Sequence, residues 1–270
     1  MVPPTHSSPT TDDALCEALT QLAVKAGAAA MTVYAQEIVS QSKADASPVT
    51  EADRLGEAII LAGLSDFAPH IPVLAEESAS EGNIPADLGE RFFLVDPLDG
   101  TKEFISKTGE FTVNIALIEL GRPVLGVVFA PALNKLFVGE RSGAWSANVD
   151  ADGSIKEKQA IRARPSPAAG LVAVASRSHR SPETDAYLNT LDVADFKAAG
   201  SSLKFCLLAA GVADVYPRFG RTMEWDTAAG QAVLEAAGGQ VLTHPEGAAL
   251  KYGKSQRGFD NPHFIAWGVR

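Results

Sequence analysis

The residues with the clearest capacity for chemistry form the hexapeptide Asp96-Pro97-Leu98-Asp99-Gly100-Thr101, directly after the apolar stretch Phe92 to Val95. Its two carboxylates can face one cavity, because Pro97 restricts the backbone on both sides and Gly100 lets the chain approach a ligand closely. If Thr101 begins a helix, the backbone N–H groups of Gly100 and Thr101 point at an anion, as helix N-termini do for phosphate. An acidic turn that caps a surface helix is the alternative interpretation of the hexapeptide alone.

Three further acidic residues lie where predicted elements begin or end. Glu76 and Glu77 follow the predicted strand Ile71 to Ala75, and Asp226 follows Trp225 at the start of a predicted helix. Taken singly, a Glu-Glu pair can be solvated charge and an Asp at a helix start can be an N-cap. Hard oxygen ligands favour Mg²⁺ over zinc, and the five histidines show no metal-ligand spacing. Together the carboxylates predict a magnesium site.

The elements that must position these carboxylates can be read from hydrophobic periodicity. Apolar residues at helical spacing predict two amphipathic helices, one around Leu15 to Ala26 and one around Leu55 to Ile60. After them the period changes, and the short apolar runs Ile71 to Ala75 and Phe92 to Val95, each followed by acidic residues, predict strands that deliver carboxylates to a sheet edge. Phe111 to Leu120, Val124 to Ala130 and Lys135 to Gly139 are separated by turn residues and predict a meander of antiparallel strands.

A polar region from Asn148 to Pro167 interrupts the hydrophobic pattern and predicts a boundary between two halves. Beyond it, alternating strands and helices predict an α/β half. The helices are Pro182 to Leu191, Ser201 to Ala213 and Trp225 to Ala237, and the strands are Leu171 to Ala175, Ala194 to Ala198, Asp214 to Arg218, Gln240 to Thr243 and Phe264 to Trp267. We therefore expect a flexible tail at 1–13, an α+β metal-binding half at 14–155 and an α/β substrate-binding half at 156–270.

Composition and charge exclude several classes of partner. The formal charge of -10 with no basic tract disfavours a nucleic-acid polymer or an anionic membrane surface. The longest apolar stretch, Leu15 to Val39, contains charged residues and cannot span a membrane. The two cysteines, Cys16 and Cys206, lie in apolar helical patterns and are expected to be small buried hydrophobes. We predict a cytoplasmic protein, with peripheral association with the inner membrane left open.

Three separated segments now resemble one family. The hexapeptide, with Glu76-Glu77 upstream and Trp225-Asp226-Thr227-Ala228-Ala229 downstream, is similar to the signature set of the inositol monophosphatase superfamily of Mg²⁺-dependent, lithium-sensitive phosphatases. The stretch D-P-L-D-G-T-K-E-F from Asp96 to Phe104, together with Gly200-Ser201-Ser202-Leu203-Lys204, resembles its 3'(2'),5'-bisphosphate nucleotidase branch. The resemblance extends from about Ala14 to the C-terminus and implies a layered α/β/α/β/α sandwich.

The resemblance also implies a catalytic arrangement with two or three Mg²⁺ ions, of which two assist in-line attack of water on phosphorus. Thr101, polarised by Asp53, would orient or deprotonate that water, because a hydroxyl is a weak base unless a carboxylate takes its proton. An ordinary acidic residue in the first turn of a helix is the alternative for Asp53. The implied metal ligands are Glu76, Asp96 as the bridge, the carbonyl oxygen of Leu98, Asp99 and Asp226.

The implied substrate is adenosine 3',5'-bisphosphate, a by-product of sulfate assimilation. The enzyme would hydrolyse it to AMP and phosphate. Lys204 is the expected partner of the uncleaved phosphate, with a solvated helix lysine as the alternative and with Arg177, Arg180, Arg218 and Arg221 as further candidates. The implied substrate contacts are Glu76, Leu98, Asp99, Gly100, Thr101, Ser176, His179, Gly200, Lys204 and Asp226.

Other functions stay open at this point. An inositol monophosphatase, a histidinol phosphatase or a sugar bisphosphatase of the same superfamily would use the same chemistry, and the protein is expected to be a monomer or a homodimer. A catalytically silent relative is a different class, although every expected ligand is present. A calcium-binding module is disfavoured, because Asp150-Ala151-Asp152-Gly153 lacks the spacing of an EF-hand loop.

Overall fold

The structure is a computed structural model that describes residues 12–42, 48–175 and 181–270. The helices in these ranges are α1 Asp12–Tyr34, α2 Glu51–Phe67, α3 Glu76–Ser80, α4 Thr101–Ile105, α5 Pro182–Leu188, α6 Leu203–Ala209 and α7 Glu224–Ala236. The strands are β1 Ser40–Ser42, β2 Pro48–Thr50, β3 Val73–Ala75, β4 Arg91–Asp99, β5 Thr112–Glu119, β6 Arg122–Ala130, β7 Lys135–Glu140, β8 Gly143–Val149, β9 Ile155–Ile161, β10 Leu171–Ala175, β11 Val193–Ala198, β12 Val215–Arg218, β13 Gln240–Thr243 and β14 Phe264–Trp267.

The larger sheet has seven strands in the order β3-β4-β5-β6-β7-β8-β9. β3 and β4 run parallel, and each later pair is antiparallel. The meander predicted from Phe111 to Gly139 is confirmed in β5, β6 and β7. Strands β8 and β9 were not expected from the sequence, and in β9 the side chains from Lys156 to Ala160 are exposed and polar or small. Such residues are common on edge strands, where charge discourages pairing with other chains. The proposed boundary at residue 155 therefore falls at the first residue of a strand of this sheet.

The smaller sheet has five strands in the order β11-β10-β12-β14-β13. β10 lies between β11 and β12 and runs parallel to both, whereas β14 pairs antiparallel with β12 and β13. Each of these five strands was predicted from the alternation of apolar runs and helical patterns. The prediction of an α/β arrangement for this half is therefore confirmed.

Five layers follow from the way the helices cover the two sheets. α1 and α2 pack on one face of the seven-stranded sheet, and α7 packs on its other face, beside α6. The same α6 and α7 contact the five-stranded sheet, whose outer face is covered by α5. This arrangement confirms the expected α/β/α/β/α sandwich.

Alternating side chains of β4 show how the sheet serves two cores. Phe93 and Val95 pack in the cluster with α1 and α2, whereas Phe92 and Leu94 pack in the cluster with α6 and α7. All four are buried, as the period of two along a strand requires when both faces are covered. Strand β4 is therefore held from both sides up to the acidic residues at its end.

Both cysteines lie in the interior of the fold. Cys16 and Cys206 are free thiols and both are buried, as expected. No helix among residues 12–42, 48–175 and 181–270 combines the length and hydrophobicity that crossing a bilayer requires.

Candidate active site

The parallel pair β3 and β4 brings the first two carboxylates together. Ala75 pairs with Val95, so the next residues, Glu76 and Asp96, leave the two strands at the same end. The carboxyl groups of Glu76 and Asp96 lie within hydrogen-bonding reach of one another. Two acidic residues that are distant in sequence are thereby adjacent because of strand register.

The end of β4 is shaped by the hexapeptide. Pairing with β5 is regular up to Asp96 and resumes at Asp99, so the residues between them form an irregularity in the strand. The Leu98 N–H donates to Asp96 Oδ1 at 3.0 Å. Gly100 then takes a φ of +93°, a left-handed conformation that a side chain disfavours, and α4 begins at Thr101 as predicted.

Asp99 links the two halves of the molecule. Its Oδ2 accepts hydrogen bonds from Ser201 Oγ at 2.6 Å, from the Ser202 N–H at 2.8 Å and from Asn114 Nδ2 at 3.3 Å. Ser202 Oγ in turn donates to the backbone carbonyl of Asp226 at 2.9 Å. One network therefore fixes the Asp99 carboxylate to the start of α6 and to the first turn of α7.

Three members of this network, Ser201, Ser202 and Asn114, have no role predicted from the sequence. Ser201 and Ser202 lie in a segment used only for the resemblance, and Asn114 was read as part of a strand. A signal for Asn114 was available: it is a buried amide within the otherwise apolar run from Val113 to Ile118. A buried amide needs hydrogen-bond partners, and here it has Asp99, Ser202 and Thr112.

Asp226 lies where it can serve both as a helix cap and as a carboxylate of the cavity. It is the third residue of α7, and its Oδ2 accepts from the Met223 N–H at 2.9 Å, as in a capping box. It also lines the same cavity as Glu76 and Asp99. A helix cap and a cavity carboxylate are therefore the same side chain.

The carboxylates oppose one another electrostatically. The pKa of Asp96 is raised well above 3.8, first by burial and then by the charges of Glu76, Asp99 and Asp226. The pKa of Asp226 is raised well above 3.8 by burial and by Asp99 and Glu76. Buried carboxylates that lie close together repel one another, and binding either a proton or a cation relieves this repulsion.

The donor set fits a hard divalent cation. All the acidic groups at the cavity offer oxygen, and no His or Cys stands among the described residues that line it. An open arrangement of carboxylates is the kind that suits Mg²⁺, which keeps waters and substrate oxygens among its ligands. The chemistry of these donors therefore fits a hard divalent cation.

Asp53 and Thr101 form a second, separate contact at the cavity. Asp53 is fully buried at the start of α2, where its Oδ2 accepts from the Thr50 N–H at 2.7 Å and from Thr50 Oγ1 at 2.6 Å. Its other oxygen accepts from Thr101 Oγ1 at 3.3 Å. Thr101 Oγ1 is also 3.4 Å from the Leu98 carbonyl oxygen. The Asp53 carboxylate is therefore both a helix cap and the neighbour of the Thr101 hydroxyl.

The cavity has a volume of about 650 Å³, which is within the usual range for small-molecule sites. Its lining contains the carboxylates Glu76, Asp99 and Asp226 together with Gly100 and Thr101. Its other lining residues include the basic side chains Lys204, Arg218 and Arg221. One cavity therefore offers carboxylates for cations and cationic groups for an anion.

Lys204 is buried rather than solvated. Its side chain lies in α6 with Nζ 5.4 Å from the centre of the Tyr216 ring and 3.5 Å from the Ala199 carbonyl oxygen. Burial lowers its pKa to about 8. A lysine held in this way gains from a bound anion, because the anion restores the solvation that burial removes.

The remaining expected contacts have different outcomes. Gly200 does not line the cavity: its N–H donates to Glu110 Oε2 at 3.0 Å, and a Cβ at this position would lie 2.5 Å from the Glu110 carbonyl oxygen. It brings the turn before α6 close to Glu110. Ser176, His179, Arg177 and Arg180 lie outside the described residues.

Comparison with known proteins agrees with this geometry. The model of the inositol monophosphatase family matches residues 12–263. The chain belongs to the inositol monophosphatase family. It is therefore an enzyme of a phosphatase family, with its family signatures at the cavity described above.

Several members of this family resemble the chain over almost its whole length. A 3'(2'),5'-bisphosphate nucleotidase CysQ of Salmonella typhimurium is 46% identical over 252 residues, which cover 93% of this chain and 98% of that protein. The CysQ of Escherichia coli K12 is 46% identical over 246 residues, covering 90% and 96% of the two chains. The crystal structure of CysQ from Bacteroides thetaiotaomicron superposes with a TM-score of 0.79 at 37% identity, covering 96% and 98%.

Proposed function

We propose that this member of the inositol monophosphatase family is a Mg²⁺-dependent phosphatase that hydrolyses adenosine 3',5'-bisphosphate to AMP and phosphate. The observation that carries the proposal is that one cavity is lined both by carboxylates and by the basic side chains Lys204, Arg218 and Arg221. A substrate with two phosphates needs both, because one phosphate is attacked beside the cations while the other is held in place. The relatives named 3'(2'),5'-bisphosphate nucleotidase support this substrate.

The acidic residues divide the work of holding the cations. The cations would be held by Glu76, Asp96, Asp99 and Asp226 with the carbonyl oxygen of Leu98, and Asp96, which lies close to the other three carboxylates, would be shared between the cations. When bound, two Mg²⁺ ions neutralise the charge of the phosphate and help to generate a nucleophile at neutral pH. The network of Ser201, Ser202 and Asn114 holds Asp99 so that the site needs little rearrangement.

Thr101 and Asp53 orient the attacking water. The Thr101 hydroxyl donates its proton to Asp53 Oδ1, so its oxygen is free to accept a hydrogen bond from water in the cavity. Asp53 cannot turn away, because Thr50 holds its second oxygen through two hydrogen bonds. A positioned pair of this kind contributes about 10²- to 10⁴-fold to a rate.

Lys204, Arg218 and Arg221 hold the phosphate that is not cleaved. All three line the cavity, and Lys204 is the most buried of them. Their contact with the second phosphate orients the ester and contributes to binding, since charge-assisted hydrogen bonds are stronger than neutral ones. The 3'-phosphate of the same molecule then lies beside the carboxylates.

Phosphate release tests the proposal directly. Adenosine 3',5'-bisphosphate, adenosine 3'-monophosphate and inositol 1-phosphate are compared at equal concentration, with Mg²⁺ and with EDTA in its place. We expect the bisphosphate to have the highest kcat/KM and the matched monophosphate to have a higher KM than the bisphosphate. EDTA should abolish all turnover. A preference for inositol 1-phosphate, or for histidinol phosphate or a sugar bisphosphate in the same assay, would contradict the assigned substrate.

The proposal includes the biological setting implied by this substrate. We place the reaction in the cytoplasm, where it removes a by-product of sulfate assimilation, and we expect inhibition by lithium. We further propose that residues 14–155 supply the metal ligands except Asp226, and that residues 156–270 supply the contacts to the second phosphate. Assay of phosphate release in the presence of LiCl, with NaCl as the control, tests the expected inhibition.

A further inference from the structure

Glu76 is carried by an unusually weak element. Helix α3 has only five residues, and Glu76 is the first of them. Its N-cap is Ala75, which has no side chain that can accept a hydrogen bond from the first turn. Helices of this length are not stable alone, and their first N–H groups need partners from elsewhere.

Glu57 of helix α2 supplies these partners. Its carboxylate accepts from the Glu77 N–H at 2.7 Å, from the Ser78 N–H at 2.8 Å and from Ser78 Oγ at 2.6 Å. The residue is 5% exposed, so its charge depends on these three donors in place of water. The carboxylate of one helix is thus the N-terminal cap of another, and it fixes the peptide unit that follows Glu76.

The same face of α2 contacts the hexapeptide at two more points. Asp53, one turn before Glu57, accepts from Thr101. Between them, Gly56 packs against Pro97, so that an added Cβ would lie 3.2 Å from the Pro97 side chain. Helix α2 therefore holds the Asp96 loop and the Glu76 helix in a fixed relative position.

We propose that Glu57 is a positioning residue that sets the affinity for the metal ion by holding the Glu76 carboxylate beside Asp96. Glu57 does not touch the ion or the substrate, and it acts through the backbone of α3. The inference rests on the proposed function, since it takes Glu76 as a metal ligand. It adds a residue outside the signature segments to the set that determines cation binding.

The test is the variant Glu57→Gln. An amide keeps one acceptor oxygen but places an NH₂ group against a donor of α3, so at least one of the three hydrogen bonds is lost. We expect the Kd for Mg²⁺, measured by calorimetric titration without substrate, to rise about 10- to 100-fold, as is common when a group supporting a metal ligand is removed. At saturating Mg²⁺, kcat returns to the wild-type value, because the ligand itself is retained.

A second variant covers the case in which Glu57→Gln folds poorly. Ser78→Ala removes only the hydroxyl hydrogen bond and leaves both backbone contacts. It is expected to weaken Mg²⁺ binding in the same direction by a smaller factor. An unchanged Kd in Ser78→Ala and in any folded Glu57→Gln protein would overturn the proposal.

Asp214→Asn is the matched control for general destabilisation. Asp214 is 1% exposed and, like Glu57, is a buried carboxylate with several donors: Arg164 Nε and Nη2, each at 2.8 Å, and the Val172 N–H at 2.7 Å. It lies outside the cavity lining, so its loss should lower Tm without changing the Kd for Mg²⁺. If Asp214→Asn weakens Mg²⁺ binding as much as Glu57→Gln does, the effect is global and the positioning role is rejected.

Measurements on the wild-type protein distinguish a failure of the proposed function from a failure of the positioning role of Glu57. If it neither binds Mg²⁺ nor needs it for phosphate release, the proposed function fails and the positioning role fails with it. If the wild type responds to Mg²⁺ and Glu57→Gln has the same Kd, only the positioning role fails.

Discussion

At the scale of single residues, the site contains side chains whose charged forms are disfavoured by their surroundings. Asp96 and Asp226 are carboxyl groups with raised pKa values, and Lys204 is an amine with a lowered pKa. Burial is the largest cause in each case, because it removes the water that would solvate the charge. These groups are therefore prepared to bind ions of opposite sign.

The pair Asp53 and Thr101 gives a prediction about turnover. Thr101→Val removes the hydroxyl and keeps the shape of the side chain, and it is expected to lower kcat by about 10²- to 10⁴-fold with little change in the Kd for Mg²⁺. Thr101→Ser, which restores the hydroxyl, should recover most of the activity. Equal kcat for the valine and wild-type enzymes in phosphate-release assays would exclude a role in orienting water.

Lys204 gives a prediction about pH. Its pKa of about 8 means that the free enzyme loses this charge as the pH rises through that value, so KM for adenosine 3',5'-bisphosphate should increase above pH 8. Lys204→Met should raise KM about 10- to 100-fold at neutral pH, the value of a charge-assisted hydrogen bond, and remove that part of the pH dependence. Lys25→Met, at an exposed position of α1, is the control. A KM of Lys204→Met equal to that of wild type would argue against the phosphate contact.

At the scale of elements, helix α7 is placed by two glycines of the larger sheet. A Cβ at Gly126 would lie 2.5 Å from the Ala229 carbonyl oxygen, and a Cβ at Gly139 would lie 2.5 Å from that of Ala232. Only residues without a side chain let the backbone of α7 approach β6 and β7 so closely. This approach sets the depth of α7, whose first turn carries Asp226.

Gly139→Ala tests the close approach. The added methyl group meets backbone atoms of α7, so the helix must shift, and we expect a loss of about 1 to 3 kcal/mol in the free energy of unfolding by urea. The displaced α7 should also weaken Mg²⁺ binding. At Gly268 the nearest atom to an added Cβ is 3.2 Å away, so Gly268→Ala should cost less. A larger loss in the Gly268 variant than in the Gly139 variant would refute this account.

At the scale of the whole molecule, repulsion between the buried carboxylates of the site lowers the stability of the folded protein. Asp96 and Asp226 have folded-state pKa values above their ordinary value of 3.8, so the folded protein retains protons that the unfolded chain releases. Their contribution to stability is fully present below that value and is lost as the pH rises through the raised pKa values. Without metal, raising the pH therefore destabilises the protein through these two groups.

Metal binding should reverse this loss. We expect the Tm of the metal-free protein to fall between pH 5 and pH 8, roughly the range above the ordinary carboxyl pKa, and Mg²⁺ to restore it at pH 8. Mg²⁺ at 100 times its Kd adds about 2.7 kcal/mol to the free energy of unfolding. Asp96→Asn should raise the metal-free Tm at pH 8 and abolish the response to Mg²⁺. A Tm of Asp96→Asn that still rises with Mg²⁺ as in wild type would show that this carboxylate is not a ligand.

The sequence by itself determined which groups could do chemistry and the order of most elements. The acidic hexapeptide, the start of α4 at Thr101 and all five strands of the smaller sheet follow from local patterns, because strand period, turn residues and caps are local properties. Strands β1, β2, β8 and β9 and the short helix α3 were missed. The residues of β9 and α3 show no apolar period, and the positions of these two elements depend on pairing and capping by distant parts of the chain.

Only the tertiary structure decided which of these groups meet. Strand register places Glu76 beside Asp96, the hydrogen bonds from Ser201 and Ser202 join the two halves at Asp99, and Gly200 packs on Glu110 instead of lining the cavity. The sequence lists carboxylates, but their mutual repulsion exists only once folding has buried them together. Because these distances depend on packing between layers, no local pattern contains them.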